Sequence, residues 1–234
     1  MFSVRLADRN FKIENKYDNI YKLCKHYYSD EDSGILISVT EEEIAREQTG
    51  KRTPGYLETL AIHRKITEHL IDDSILLFHG SAIALDGKAY LFAAPSGTGK
   101  STHARLWREA FGDRAVMIND DKPFLKLADS GVTVYGTPWD GKHHLSTNAS
   151  APLAAICILK RSKTNQLEPI TQSEALPFLF RQTYRPADAE KLKKTLSLID
   201  KLGSSVSLYR LKCNTDPEAA RLAYREMNER NEDR

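Results

Sequence analysis

Residues 94–101 read Ala-Pro-Ser-Gly-Thr-Gly-Lys-Ser, and this stretch decides how the rest of the chain is interpreted. Its last three residues match the end of the phosphate-binding pattern G-x-x-x-x-G-K-[ST], whereas Ala94 occupies the first glycine position. Gly97 and Gly99 can adopt positive φ, which lets backbone N–H groups converge on a phosphate. A helix that begins directly after the loop would add the positive end of its dipole at the same point. The stretch therefore predicts a nucleotide-binding loop.

The sequence on both sides of the loop agrees with this prediction. Lys88–Ala93 is apolar and predicts a buried strand, and residues 102–111 carry apolar side chains at helical spacing before Gly112. Before the strand, Asp86-Gly87 is typical of a tight turn after another strand over Ser81–Leu85. A hairpin is therefore expected to lead into the loop. The alternative interpretation of the loop is an ordinary turn of small residues.

The loop also predicts which side chains contact the ligand. Lys100 would reach the β- and γ-phosphates, and the Ser101 hydroxyl would bind Mg²⁺. The ligand expected is ATP together with Mg²⁺, while GTP and pyrophosphate remain open as donors. The residues expected to bind the nucleotide are Ser96, Gly97, Thr98, Gly99, Lys100, Ser101 and Thr102.

Composition limits the class of protein. The chain has 234 residues, 41% hydrophobic content and a net charge of +2, without a long run of one charge sign. Neither nucleic acid nor a membrane is expected as a partner, and three scattered cysteines favour a reducing, cytoplasmic location. Assembly into a homo-oligomer is left open.

The order of the predicted elements indicates an α/β fold with a mixed sheet and flanking helices. Short alternating segments at residues 2–6 and 34–39 and a short helix after Thr40 predict a small N-terminal sheet and helix subdomain over residues 1–54. Residues 55–234 would form the nucleotide-binding core and its C-terminal helices. A capping box that starts at Thr215 predicts the last helix.

Two adjacent carboxylates follow a short apolar strand. Asp120 and Asp121 come directly after this strand, where a metal-holding carboxylate is expected. Because side chains alternate along an extended chain, one carboxylate could bind Mg²⁺ with Ser101 while the other accepts a proton from an attacking hydroxyl. We assign the metal role to Asp120, and the alternative for the pair is a solvated turn.

Two further residues are candidates for catalysis. His79 follows an apolar segment before the hairpin, and Lys142 lies in the turn-rich segment 136–144, which also contains Trp139. Lys142 could contact a transferring phosphoryl group and Trp139 a substrate. The alternatives are a structural histidine at a strand end and an exposed surface turn.

Taken in order, His79-Gly80, the hairpin, the loop and the Asp120-Asp121 pair resemble the catalytic domain of bacterial HPr kinase/phosphorylase. The nucleotide-binding core of that family is similar to ATP-dependent phosphoenolpyruvate carboxykinase. The resemblance implies that Lys100 and Ser101 bind phosphate and Mg²⁺, that the aspartates supply the base, and that His79 belongs to the active site. The chain is closer to small stand-alone relatives that act on small molecules or peptides, so HPr is not the expected substrate.

The sequence thus predicts a kinase that transfers the γ-phosphoryl group of ATP to a serine-like hydroxyl on a peptide, protein or small metabolite. The main alternative is a regulatory ATPase or nucleotide switch that acts through a protein partner. Phosphoryl transfer to a carboxylic acid and a non-catalytic scaffold are two further alternatives.

Overall fold

The computed structural model describes residues 1–31 and 33–232 and divides into two units. The first unit ends at Ile75 and the second begins at Leu76. The boundary expected from the sequence lies between residues 54 and 55, at the start of a long helix that belongs wholly to the first unit.

The first unit contains a small sheet and three helices. Its elements are β1 (Phe2–Leu6), β2 (Arg9–Ile13), α1 (Asp18–Leu23), β3 (Ile35–Ile37), α2 (Glu41–Arg46) and α3 (Pro54–Leu70). β1 pairs antiparallel with β2, and β2 pairs parallel with β3. The helix expected after Thr40 is confirmed: Thr40 Oγ1 accepts from the N–H of Glu43, and the Glu43 carboxylate accepts from the N–H of Thr40.

The second unit is built on a mixed sheet. Its strands are β4 (Ile75–Leu77), β5 (Ser81–Leu85), β6 (Lys88–Ala93), β7 (Ala115–Asn119), β8 (Phe124–Ala128), β9 (Gly131–Tyr135), β10 (Ser150–Arg161), β11 (Gln166–Pro169) and β12 (Ser207–Cys213). The order is β4-β8-β9-β10-β6-β5-β7, and β12 pairs with both β10 and β11. The start of β10 pairs with β9, and its later part pairs with β6 and β12.

Strand direction brings several chain segments to one edge of this sheet. β6 is parallel to β10, and β10 is parallel to β12. β5 is antiparallel to both β6 and β7, so β6 and β7 run in the same direction. The carboxyl ends of β6, β7, β10 and β12 therefore lie at the same edge as the beginning of β5, and such an edge is where open α/β sheets usually bind ligands.

Helices cover both faces of the sheet. They are α4 (Lys100–Phe111), α5 (Gln172–Gln182), α6 (Ala189–Ser205) and α7 (Glu218–Glu232). Alternate residues of β6 face opposite ways: Leu91 packs in the cluster that includes Leu179 and Leu202, whereas Phe92 packs in the cluster that includes Trp107. One face is thus covered by α5 and α6, and the other by α4 and α7.

Comparison with the sequence predictions gives both confirmations and corrections. The Asp86-Gly87 turn is confirmed, since both residues have positive φ and the flanking residues Leu85 and Lys88 pair. The expected cap of α7 at Thr215 is wrong, because the N–H of Glu218 donates to the carboxylate of Asp216 at 2.8 Å. The sequence did not predict β2, β8, β11, α1 or α5. Across the described residues, no helix has the length and apolar character needed to cross a membrane.

Candidate active site

The glycine loop, residues 94–99, connects β6 to α4. Gly97 has φ of 76° and Gly99 has φ of 122°, so both glycines use backbone conformations that other residues rarely adopt. The N–H of Thr98 donates to the carbonyl oxygen of Pro95 at 3.1 Å, and α4 begins at Lys100. The expected loop-to-helix transition is present, with the helix N-terminus at the end of the loop.

The side chain of Lys100 turns back over this loop. Its Nζ donates to the carbonyl oxygen of Ala94 at 2.9 Å, and the residue is 9% exposed. Burial lowers the pKa of Lys100, and the nearby carboxylates of Asp121 and Asp120 oppose that shift. The ammonium group is therefore held at the loop by a neutral carbonyl oxygen. A charged phosphate oxygen is a stronger hydrogen-bond acceptor and could replace it.

Asp120 and Asp121 follow β7 and have different partners. Asp120 is 5% exposed, and its Oδ1 accepts from the hydroxyl of Ser81 at 2.7 Å. This contact explains why the first residue of β5 is a buried serine. It leaves Oδ2 of Asp120 near Gly141, where an added Cβ would lie 3.8 Å from that oxygen.

Asp121 contacts two basic side chains. Nε2 of His79 lies 3.2 Å from its Oδ1, and Nζ of Lys122 lies 2.8 Å from its Oδ2. Burial alone would raise the pKa of Asp121, but the hydrogen bond to His79 and the charge of Lys122 outweigh it and hold the pKa well below its usual range. Asp121 is therefore a carboxylate at any pH at which the protein would work.

His79 is placed by backbone contacts on both sides. Its N–H donates to the carbonyl oxygen of Gln182 at 2.7 Å, and the N–H of Gly80 donates to the carbonyl oxygen of Asp121 at 3.1 Å. A Cβ on Gly80 would lie 3.0 Å from the carbonyl oxygen of Phe92, so glycine permits this close approach. The start of β5 is thereby fixed beside the end of β7.

Asn119 organises the turn that carries the aspartates, and the sequence analysis did not select it. Its Oδ1 accepts from the N–H groups of Asp121 and Lys122, at 2.8 and 2.6 Å. Its Nδ2 donates to the carbonyl oxygen of Thr137 at 3.0 Å, and Asn119 is fully buried. Asparagine directly before two aspartates is typical of such a turn, and that pattern could have identified it.

The segment after β9 lies along the end of β7. An added Cβ on Gly136 would lie 1.9 Å from the carbonyl oxygen of Thr147, so the backbone at these two residues approaches closely. Asp140 accepts from the hydroxyl of Ser146 at 2.9 Å and lies 3.1 Å from Nδ1 of His144. Trp139 is 6% exposed, so its side chain is largely buried, and its contact with a substrate stays a prediction.

A cavity of about 440 Å³ brings most of the candidate residues together. It is lined by His79, Ser96, Gly97, Gly99, Lys100, Ser101, Thr102, Asp120, Asp121, Gly141, Lys142, His143 and Arg161. Of the residues selected from the sequence, Thr98 lines two neighbouring cavities instead. The other candidates, including Lys142 from the distant segment, share one cavity.

Arg161 is a second residue that the sequence did not indicate. It ends β10, and its guanidinium donates to the carbonyl oxygens of Gly97 and Thr98, the latter at 3.1 Å. These contacts fix the two carbonyl groups of the loop against the end of β10. An arginine at the end of a long apolar strand carries no pattern that marks this role.

Comparison with solved structures gives a remote likeness. The HPr(Ser) kinase/phosphatase from Coxiella burnetii is matched with a TM-score of 0.38 and 11% identity, over 67% of this chain and 95% of that one. A comparison with curated proteins finds no match.

A family model matches more than half of the chain. The match spans residues 48–184, which include the glycine loop, His79, the aspartates and Lys142. The chain belongs to the family described as SynChlorMet cassette protein ScmC.

Proposed function

We propose that this protein is a Mg²⁺-dependent kinase that transfers the γ-phosphoryl group of ATP to a hydroxyl group. The observation that supports this best is the shared cavity, in which the glycine loop, Lys100 and Ser101 lie together with Asp120 and the His79–Asp121 pair. Phosphoryl transfer needs positioning and charge stabilisation, with little covalent participation by the protein. These residues supply both.

The loop and the start of α4 would bind the phosphates of the nucleotide. Backbone N–H groups freed by Gly97 and Gly99 and the N-terminus of α4 favour a negative charge at this point. Lys100 would exchange its bond to the carbonyl of Ala94 for a charge-assisted bond to a phosphate oxygen. Arg161 would keep the loop in the receptive conformation.

Ser101 and Asp120 fit a magnesium site. Mg²⁺ prefers hard oxygen ligands, and at nucleotide sites it uses one or two protein groups together with phosphate oxygens and water. The Ser101 hydroxyl and Oδ2 of Asp120 would be the protein ligands, because Oδ1 of Asp120 already accepts from Ser81. When bound, the ion would neutralise negative charge on the phosphate oxygens.

Asp121 would orient the acceptor and take its proton. The acceptor oxygen forms a bond to the γ-phosphorus while the bond from that phosphorus to the bridging oxygen breaks, and ADP leaves with the bridging oxygen. The hydroxyl proton passes to the carboxylate of Asp121, which His79 and Lys122 hold in place. A carboxylate of low basicity suits a loose transition state, in which the proton is transferred late.

Transfer from γ-labelled ATP tests this proposal. The protein with Mg²⁺ is incubated with pools of hydroxy amino acids, sugars and peptides, and labelled products are separated. We expect a labelled acceptor with the parent protein and with Lys88→Ala, an exposed lysine outside the site, but not with Lys100→Ala. If only free phosphate is released, with or without acceptors, the protein is an ATPase and the kinase proposal fails.

A further inference from the structure

Arg108 on α4 is a cation without an anionic partner among the described residues. The residue is half-buried, and its Nε is buried without a hydrogen-bond acceptor anywhere in the described part of the chain. Arg105, almost one turn earlier on the same helix, is exposed and pairs with Glu109. Partial burial of an unpaired guanidinium is costly, and an anionic ligand would remove that cost.

A second cavity lies against Arg108. It measures about 410 Å³ and shares Ser101, Asp120 and His143 with the cavity assigned to the phosphates. Because Ser101 and Asp120 are the proposed metal ligands, the second cavity lies next to the proposed metal site. Apolar surface is also available, because Met117 and Leu145 line the same space.

Helix geometry relates Arg108 to the phosphate site. Ser101, Arg105 and Arg108 are separated by four and three residues and lie on one face of α4. The rise of 1.5 Å per residue separates the Cα atoms of Ser101 and Arg108 by about 10 Å along the axis. A long side chain at position 108 points back towards the start of the helix, so its guanidinium would lie closer to Ser101 than the backbone does.

We propose that the phosphoryl acceptor extends across both cavities, with its hydroxyl at Asp121 in the first and a carboxylate group in the second, and that Arg108 selects acceptors that carry this carboxylate. The planar fork of arginine binds a carboxylate through two parallel hydrogen bonds. A singly charged carboxylate is favoured over a phosphate, since Asp120 lines the same cavity and the transferring phosphates lie beside it. This inference rests on the proposed kinase function and names the class of its substrate.

Matched acceptors test the selection. N-acetyl-L-serine and N-acetyl-L-serinamide have the same hydroxyl and differ in one carboxylate. Their binding is measured by calorimetry with the protein and MgADP, and their phosphorylation with labelled ATP. For the parent protein we expect the carboxylate to be preferred by about 10- to 100-fold in binding, as for a charge-assisted, bidentate contact.

Variants assign the preference to Arg108. Arg108→Gln is expected to abolish the preference, because it weakens the binding of N-acetyl-L-serine but not that of N-acetyl-L-serinamide. The KM for N-acetyl-L-serine should rise, while the affinity for MgADP stays unchanged. Arg108→Lys should retain part of the preference, because the charge remains without the fork. Arg221→Gln, on an exposed arginine that pairs within α7, is the control and should behave as the parent.

The outcomes separate this inference from the kinase proposal. Arg108-dependent binding of the carboxylate without phosphoryl transfer would support the anion site and refute the kinase. Transfer to both acceptors without a preference would support the kinase and overturn the role of Arg108. The inference also fails if neither acceptor binds, or if Arg108→Gln weakens the binding of MgADP as much as the binding of N-acetyl-L-serine.

Discussion

Nε2 of His79 lies 3.2 Å from Oδ1 of Asp121, although the two residues are 42 positions apart in the sequence. This contact joins the segment before β5 to the segment after β7. It leaves Asp121 ionised and fixed beside the glycine loop, so the pair is the centre of the proposed chemistry.

Replacing Asp121 by asparagine should separate catalysis from nucleotide binding. Asparagine keeps the size of the side chain but cannot accept the proton, so kcat should fall by about 10²- to 10⁴-fold. The dissociation constant for ATP, measured by calorimetry, should change little, because the loop and Lys100 are intact. Asp120→Asn is the matched variant, and its activity should depend on a higher Mg²⁺ concentration. Unchanged kcat in Asp121→Asn would exclude Asp121 as the base.

Asn119 should be needed for both stability and activity. Asn119→Ala leaves the N–H groups of Asp121 and Lys122 without their acceptor, and should reduce the free energy of unfolding by about 2–4 kcal/mol. Denaturant titration measures this loss. At a temperature where the variant is folded, kcat should also fall, because Asp121 loses its support. Asn148→Ala, on an exposed asparagine before β10, serves as the control.

His103 should make the protein sensitive to acid. Nε2 of His103 accepts from Nε1 of Trp107 at 3.0 Å, and burial lowers the pKa of His103 to about 3. In the unfolded chain histidine titrates near 6.5. The unfolded state therefore binds the extra proton first as the pH falls, and stability should decline below about pH 6.5 with a slope of up to about 1.4 kcal/mol per pH unit.

A glutamine at position 103 tests that dependence. The amide oxygen can still accept from Trp107 but does not titrate, so unfolding measured from pH 7 to pH 4 should show a flatter acid limb in His103→Gln. The exposed His69→Gln should retain the slope of the parent. An equal slope in all three proteins would mean that other groups cause the acid sensitivity.

Gly136 and Gly141 should respond differently to alanine. A Cβ at Gly136 would lie 1.9 Å from the carbonyl oxygen of Thr147, whereas one at Gly141 has its nearest contact, the carbonyl oxygen of Asp120, at 3.5 Å. Gly136→Ala must displace backbone and should lower the free energy of unfolding by about 2 kcal/mol or more. Gly141→Ala should retain stability. Similar unfolding midpoints for the two variants would contradict the close approach at Gly136.

Local patterns were sufficient where a structure depends on neighbouring residues. The hairpin turn at Asp86-Gly87, the start of α4 after Gly99 and the short helix after Thr40 all follow from short-range hydrogen bonds and φ preferences, and all were predicted. The same reasoning missed β8 and α5. Pro177 inside α5 removes a backbone donor and weakens the helical pattern, and packing of Ala175 and Leu179 against the sheet restores the helix.

The sequence by itself determined the glycine loop, the strand before it and the carboxylates after β7, because each depends on residues close together in the chain. Only the tertiary structure decided that His79 contacts Asp121, that Arg161 holds the loop carbonyls and that Arg108 faces a cavity beside Ser101. The physical reason is strand direction: β5 runs opposite to β6 and β7, and β10 runs parallel to β6. Pairing between distant strands depends on packing of the whole sheet, and no local pattern of residues specifies it.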